Sequence, residues 1–210
     1  MTLIQKFVAQ QVGNPSGIFG YFISTRLLNR RNKTLNDIAF DNLALTSQDR
    51  VLEIGFGGGY LLDLMSKIVT DGFLAGVDFS SAMVEYCEKH FRLQIQSGKM
   101  ELQCATAELL PFPAHHFTEV VTVNSIFYWQ DAPRALAEIA RVLGANGLLV
   151  IVMTCKESIQ DRALTPHGIM MYEENEVRQL IESAGFIDVC INHASDKHRK
   201  FLCIQGRKPQ

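Results

Sequence analysis

The sequence lacks the excess of positive charge that is typical of nucleic-acid-binding proteins. Its 210 residues include 20 Lys and Arg against 22 Asp and Glu, which gives a formal net charge of −2. Proteins that bind DNA or RNA must neutralise phosphate groups, so they usually carry a basic patch or a strongly basic balance. We therefore expect no nucleic acid as substrate or partner.

A long apolar segment is also missing. The longest apolar run covers residues 148–153, which is far below the ~18 residues that a membrane-spanning helix needs. The first eleven residues are interrupted by Gln5, Lys6, Gln10 and Gln11, so they do not form the apolar block of a secretory signal peptide. We expect a cytoplasmic protein without a transmembrane segment.

Paired cysteines and sets of metal-binding histidines are absent too. None of the five cysteines forms a Cys-x-x-Cys pair. Their odd number and mostly apolar surroundings favour reduced, buried thiols over disulfides or a zinc site. The histidines at positions 115, 116, 193 and 198 lie in turns or polar loops without a ligand spacing. We therefore predict no metal site.

Short apolar runs alternate with helical patterns through most of the chain, which predicts βαβ units around a parallel sheet. The strands of this alternation are predicted at residues 50–54, 73–77, 100–104, 120–123 and 147–153. The helices between them are predicted at residues 60–69, 80–91 and 133–143. A helix at 173–184 precedes two strands at 186–191 and 200–205, and the short polar loop between these strands predicts an antiparallel pair.

A glycine-rich turn follows the first predicted strand. Residues 53–59 read Glu-Ile-Gly-Phe-Gly-Gly-Gly. Because glycine has no Cβ atom, the backbone of such a turn can approach a ligand closely at the start of the next helix. Tyr60 stands where a dinucleotide-binding motif has Gly or Ala, and the absence of a following Gly-Lys-Ser/Thr excludes a P-loop. The leading carboxylate of Glu53 suits a positively charged ligand.

Asp78 follows the second predicted strand directly. At that edge of a parallel sheet a carboxylate can accept hydrogen bonds from the hydroxyls of a ribose. An aspartate in a loop is also a common helix cap. Together with the glycine turn, the position of Asp78 favours the ribose interpretation.

Four motifs in order resemble those of the class I methyltransferases that depend on S-adenosylmethionine (SAM), and most closely the subgroup of the ubiquinone/menaquinone biosynthesis methyltransferases. The motifs are VLEIGFGGGY at 51–60, GVDFS at 76–80, AELLPFP at 107–113 and AEIARVLGANG at 137–147. The resemblance covers about residues 48–190. It implies an α/β, Rossmann-like three-layer sandwich whose seven-stranded, mostly parallel sheet has the order 3-2-1-4-5-7-6, with the last strand antiparallel.

The resemblance also implies which residues bind SAM. The methionine part would be lined by Gly55, Gly57 and Gly59. Glu53 would lie beneath it, and Asp78 would hold the ribose. The residues implied for the adenine and the transferred methyl group are Phe79, Met83, Thr106, Ala107, Glu108 and Asn124.

One of these motifs departs from the family pattern. The family commonly has Gly-Asp-Ala where this chain has Ala105-Thr106-Ala107. The Thr106 hydroxyl can accept a hydrogen bond from the adenine, but it carries no charge. We therefore expect weaker adenine binding than in relatives that have the aspartate.

On the acceptor side, the resemblance implies a methyl transfer to a small molecule by in-line displacement. Tyr128 and Trp129 follow the fourth strand as a candidate substrate wall, although aromatic residues there can equally serve to pack a helix. His167, in the segment after the fifth strand, is the candidate general base.

We expect one domain over residues 1–210, with 46–210 as the SAM-binding core. Residues 1–45 contain helical patterns that precede the alternation, and we expect them to form a cap over the active site with Tyr21 near the substrate.

Two alternatives belong to other classes of protein. A non-catalytic SAM-binding or partner protein could retain the same fold, and the uncharged Thr106 favours it slightly. A nicotinamide-dependent oxidoreductase is disfavoured by Tyr60 and by the antiparallel end of the chain. Neither the acceptor atom nor the oligomeric state has a sequence signature here.

Overall fold

The computed structural model describes residues 29–159 and 170–210. The described helices are α1 Asn29–Asn42, α2 Tyr60–Ser66, α3 Ser81–His90, α4 Arg92–Gln96, α5 Ala132–Val142, α6 Lys156–Ile159 and α7 Glu174–Ser183. The described strands are β1 Arg50–Ile54, β2 Phe73–Asp78, β3 Met100–Cys104, β4 Phe117–Val123, β5 Leu143–Thr154, β6 Ile187–Ser195 and β7 Lys200–Arg207. A single 3-10 turn, Ile126–Tyr128, follows β4.

The seven strands form one sheet in the order β3-β2-β1-β4-β5-β7-β6. Strands β1 to β5 pair in parallel, and β7 is antiparallel to both of its neighbours. The α/β fold and the strand order expected from the sequence are therefore confirmed. A short hairpin loop returns the chain beside β6, whereas each parallel strand requires a crossover.

Strand β5 is longer at its start than the sequence predicts. Its first residue, Leu143, pairs with Phe117, and a register shift separates this pair from Glu119 and Leu148. The helix predicted at 133–143 ends one residue earlier, at Val142, because Leu143 already has extended backbone angles of φ −69° and ψ 140°. The pairing depends on β4, which is distant in sequence, so local patterns do not reveal it.

Apolar side chains cover both faces of the sheet, as is typical of parallel sheets. Successive strand residues point to opposite faces, so Val51 and Leu52 belong to different clusters. One cluster includes the buried side of α5 and α7, and the other includes α1, α2 and α3. No described helix has both the length and the apolar character needed to cross a bilayer.

Helix α1 is the described part of the region expected to form a cap. Leu35 and Ala39 lie four positions apart on one face of the helix, and both are buried, as is Leu43 directly after the helix. The Gln205 side-chain amide also donates to the Asn42 carbonyl at 2.9 Å. This helix is thus packed into the core layer, and residues 1–28 of the expected cap lie outside the described residues.

Glu119, near the start of β4, is a buried carboxyl group in this core. Its Oε2 has no hydrogen-bond partner among the described residues. Burial and, to a smaller extent, the nearby Asp49 carboxylate raise the pKa of Glu119 from 4.5 to about 7. Ionising this group therefore opposes folding.

We expect Glu119→Gln to stabilise the protein at high pH. The pKa of Glu119 is higher in the folded than in the unfolded protein. The protein therefore loses stability as the pH rises from 4.5 to about 7, and the full loss remains above that range. The variant should gain about 1–2 kcal/mol at about pH 8 and almost nothing near pH 4. Urea unfolding at both pH values measures this, with the exposed Glu85→Gln as control. An equal gain at both pH values would contradict it.

Candidate functional site

The carboxyl ends of β1 to β4 meet at one edge of the sheet. The strand order reverses between β1 and β4, and open α/β sheets bind their ligands at such a switch point. The loops there carry the glycine turn after β1, Asp78 at the end of β2, Thr106 after β3 and Asn124 after β4. The fold therefore brings the predicted cofactor residues of four separate segments to one edge.

The first two predicted glycines of the turn are required for different reasons. Gly55 has φ +77°, and a Cβ atom on it would lie 2.6 Å from Cβ of Ser125, in the loop after β4. Gly57 has φ +50°, but a Cβ atom there would meet nothing within 4 Å. The first position thus needs the absence of a side chain, and the second needs the left-handed backbone that glycine adopts readily.

Gly59, the third predicted glycine, faces the protein core. It is buried at the start of α2, and a Cβ atom on it would lie 2.8 Å from the Phe91 ring and 2.9 Å from the Cys87 Sγ. The absence of a side chain there lets the turn pack against α3, which is a structural reason for glycine that the sequence analysis missed. The expected contact of Gly59 with the methionine part of SAM stays a prediction, and only its backbone could make that contact.

Asp78 connects the turn to the end of β2. Its Oδ2 accepts a hydrogen bond from the Gly57 N–H at 2.8 Å, and its Oδ1 accepts one from the Ser80 N–H at 2.9 Å. Burial raises the pKa of Asp78, and these two N–H groups oppose that rise. Each carboxylate oxygen can accept more than one hydrogen bond, so Asp78 retains acceptor capacity for a hydroxyl group of a ligand.

Glu53 lies two residues before Gly55 and is only 2% exposed. Its carboxyl group accepts a hydrogen bond from the Leu62 backbone, while its Oε2 has no partner among the described residues. Burial, with a smaller contribution from the charge of Asp78, raises the pKa of Glu53 from 4.5 to about 8. A buried acid with an unpaired oxygen suits a site for a positively charged group.

Asn124 joins the ends of two strands and one helix. It has a left-handed backbone with φ +54°. Its side-chain oxygen accepts from the Thr154 N–H at 2.8 Å, and its amide nitrogen donates to Oδ1 of Asn32 at 3.3 Å. Sequence reasoning missed Asn32 and Thr154. An asparagine directly after a strand was the available signal, because asparagine tolerates the left-handed region better than most residues.

The loop after β3 is held by Glu108. Its Oε1 accepts from the backbone N–H groups of Gln130 at 2.7 Å and Asp131 at 3.3 Å. The carboxylate thus joins this loop to the one that follows the 3-10 turn. Ala107 is buried and Thr106 is exposed. Among the three predicted residues of this loop, the structure leaves the Thr106 side chain accessible for the predicted contact with adenine.

The predicted aromatic residues and Met83 differ in how far they are exposed to solvent. Phe79 is 43% exposed, and its ring centroid lies 6.4 Å from that of Tyr128. Trp129 and Met83 are buried in the two core clusters, which favours the packing alternative for Trp129. Because Met83 also packs in the core, its contact with adenine remains a prediction.

Two predicted site residues, Tyr21 and His167, lie outside the described residues. The segment after the second undescribed range returns to this edge, where the Met170 N–H donates to the Phe127 carbonyl at 2.9 Å. In the described ranges 29–159 and 170–210, no group of three His, Cys, Asp or Glu residues could hold a metal ion.

Comparison with known proteins gives matches along most of the chain. Residues 52–151 match the methyltransferase domain family. The uncharacterized methyltransferase YdaC of Bacillus subtilis is 28% identical over 192 residues, which are 91% of this chain and 98% of YdaC. The ubiquinone/menaquinone biosynthesis C-methyltransferase UbiE of Geotalea daltonii is 28% identical over 104 residues, so the match spans 49% of this chain and 44% of UbiE.

The fold is shared with solved structures. A SAM-dependent methyltransferase from Aquifex aeolicus superimposes with a TM-score of 0.70 at 19% identity, covering 88% of this chain and 96% of that one. The YcgJ protein of Bacillus superimposes with a TM-score of 0.68, also at 19% identity, over 85% of this chain and 99% of YcgJ. Both comparisons support the same sheet architecture.

We expect Gly55→Ala to destabilise the protein more than Gly57→Ala. Both changes place a side chain on a left-handed backbone, which costs about 1–2 kcal/mol. Only the first adds an overlap with Ser125, and such an overlap costs about 1–3 kcal/mol more. Chemical denaturation of the two variants measures the difference. Equal losses of stability would show that Ser125 moves away freely.

Proposed function

Because the chain is a class I methyltransferase that uses SAM as its cofactor, we propose that it transfers the methyl group to a small molecule. The observation that carries the site assignment is the hydrogen bond from the Gly57 N–H to Asp78. It holds the glycine turn and the proposed ribose-binding carboxylate in one rigid unit. This unit lies at the switch point of the sheet, where ligands bind in open α/β folds.

The donors and acceptors of the cleft fit SAM. The backbone of the glycine turn at 55–59 would lie along the methionine part, and Asp78 would accept from the ribose hydroxyls. The buried carboxyl group of Glu53 would lie beside the positively charged part of the cofactor, and the exposed ring of Phe79 would lie beside the adenine. When bound, the cofactor supplies an electrophilic methyl group on a positively charged sulfur.

The contribution of the protein to the reaction is then mainly alignment. In-line displacement requires the acceptor atom, the carbon and the sulfur to lie on one line, and correct positioning of reactants can be worth ~7–11 kcal/mol. Asn124 fixes the loop after β4 through the Thr154 N–H. Glu108 fixes the neighbouring loop through Gln130 and Asp131. These contacts allow catalysis without a triad or a pair of catalytic carboxylates.

The acceptor side of the cleft supports a small, largely uncharged acceptor. Two apolar side chains after β3 and β5 are exposed, namely Leu109 at 66% and Met170 at 51%, and the Met170 N–H donates to the carbonyl of Phe127, next to Tyr128. Tyr128 lies against Phe79. Relatives named for C-methylation in quinone biosynthesis and for O-methylation match parts of the chain, which agrees with a small acceptor.

Tyr21, His167 and Trp129 remain part of this proposal on sequence grounds. Tyr21 would contact the acceptor from the N-terminal cap at 1–45, and His167 would accept a proton from acceptors that ionise poorly. Trp129 is buried beside Tyr128, so it would act by supporting the position of Tyr128. We also propose that the acceptor is not a nucleic acid, because the chain has no excess of basic residues, and that the protein acts in the cytoplasm.

Transfer of labelled methyl groups tests the acceptor class. The full-length protein should transfer label from SAM to at least one compound in a panel of small oxygen, nitrogen, sulfur and carbon acceptors, with quinol precursors and phenols included. Total RNA and denatured protein serve as comparison acceptors. Labelling of RNA or protein alone would contradict a small-molecule acceptor.

We expect Asp78→Asn to weaken SAM binding by roughly 10- to 100-fold. Asparagine keeps only one acceptor oxygen, so its NH2 group would face the backbone N–H of either Gly57 or Ser80. Two donors cannot form a hydrogen bond, and one contact with the loops is therefore lost. Titration calorimetry with SAM measures the effect. The exposed Asp71→Asn is the control and should bind SAM normally. Unchanged affinity in Asp78→Asn would remove Asp78 from the cofactor site.

A further inference from the structure

Glu53 is a buried acid whose surroundings favour its neutral form. On the adjacent strands it pairs in register with Gly76 of β2 and Val121 of β4. It therefore sits within the sheet, and only 2% of its surface is exposed. The Leu62 backbone at the start of α2 donates to its carboxyl group, but its Oε2 has no described partner. An ionised carboxylate with this little solvation is strongly disfavoured.

The groups that face Glu53 do not compensate a negative charge. From β2, the carboxyl group of Asp78 acts on it as a second acid. From α3, the thiol of Cys87 also lies near Glu53. Burial, with a smaller contribution from Glu53, raises the pKa of this thiol above its ordinary value. The helix α2 contributes one backbone N–H. Among the described residues no cation is identified that neutralises Glu53.

Of the two acids, Glu53 is the one expected to hold a proton. Asp78 accepts two hydrogen bonds from backbone N–H groups, those of Gly57 and Ser80, and these bonds stabilise its ionised form. Glu53 accepts only one, and its pKa is raised to about 8. Two neighbouring buried carboxyl groups do not ionise together readily. These contacts favour Asp78, rather than Glu53, as the carboxyl group that carries the negative charge.

We propose that Glu53 is protonated in the protein alone and releases its proton to solvent when a positively charged group of the cofactor binds beside it. The O–H bond of the carboxyl group breaks, the proton passes to the buffer, and the carboxylate pairs with the incoming cation. The net charge of the site thus stays nearly constant. This inference rests on the proposed position of the cofactor above Glu53.

Two groups of the cofactor could provide that cation. SAM carries a sulfonium and an ammonium group, whereas its demethylated product carries only the ammonium group. The shared chemistry is a positive charge that approaches Glu53. Proton release with both compounds would identify the ammonium group, and release with SAM alone would identify the sulfonium group.

The proposal predicts how the affinity for SAM depends on pH. Below about pH 8, the proton must leave Glu53 before the cation pairs with it, so affinity should rise up to about tenfold for each pH unit. The useful range is about pH 6 to 7, where the amino group of SAM is itself protonated. Affinity that is constant across this range would contradict the proposal without any variant being needed.

Calorimetry of SAM binding in buffers with different ionisation enthalpies counts the protons released. The full-length protein at about pH 6.5 should release close to one proton for each SAM bound. Glu53→Gln should release almost none. Glu119→Gln is the matched control, because it removes another buried carboxyl group of raised pKa, near the start of β4 and away from the glycine turn. This variant should release as many protons as the wild type.

The outcomes separate this inference from the proposed function. Tight SAM binding without proton release would overturn the role of Glu53 and leave the methyltransferase site in place. Equal proton release by Glu53→Gln and the wild type would also overturn it. Absence of SAM binding to the wild-type protein would overturn both.

Discussion

The Asp78 carboxylate holds together the two loops on which the cleft depends. It accepts hydrogen bonds from the N–H of Gly57, after β1, and from the N–H of Ser80, before α3. Because both donors are backbone groups, the contact fixes the course of the chain rather than the position of one side chain. The close approach of Gly55 to Ser125 adds the loop after β4 to the same unit. These contacts join the loops after β1, β2 and β4 at the proposed cofactor site.

The carboxyl groups at this edge are buried, so negative charge on them is poorly solvated by water. Asp78 and Glu53 are both buried at the carboxyl edge of the sheet, and burial disfavours their ionised forms. Glu119 has the same chemistry two residues before Val121 of β4, which pairs with Glu53, but its neighbours are Ala44 and Asp49 of the loop before β1 rather than the glycine turn. The same physical cost therefore has different consequences at the two positions. Near the turn it can be offset by a bound cation, whereas at Glu119 it remains a loss of stability.

The sequence predicts the strands well and the contacts between loops poorly. Residues 50–54 and 100–104 match β1 and β3 because apolar runs bounded by polar residues are local signals. The strand order came from the resemblance of the motifs. The contacts of Glu108 with Gln130 and of Asn124 with Thr154 join residues 22 and 30 positions apart, and no local pattern encodes such pairs. The packing of Gly59 against α3 and the burial of Met83 and Trp129 likewise depend on neighbours from other segments.

The left-handed backbone at Asn124 sets the direction of the loop that follows β4. Asparagine tolerates φ +54° better than most residues do, and several contacts hold the backbone in this conformation. Here the backbone N–H donates to Val152 and the side chain accepts from Thr154, both in β5. The amide also reaches Asn32 of α1. The loop that leads to Tyr128 thus has its direction set by contacts with β5 and α1, and a reaction that depends on alignment benefits from such a fixed direction.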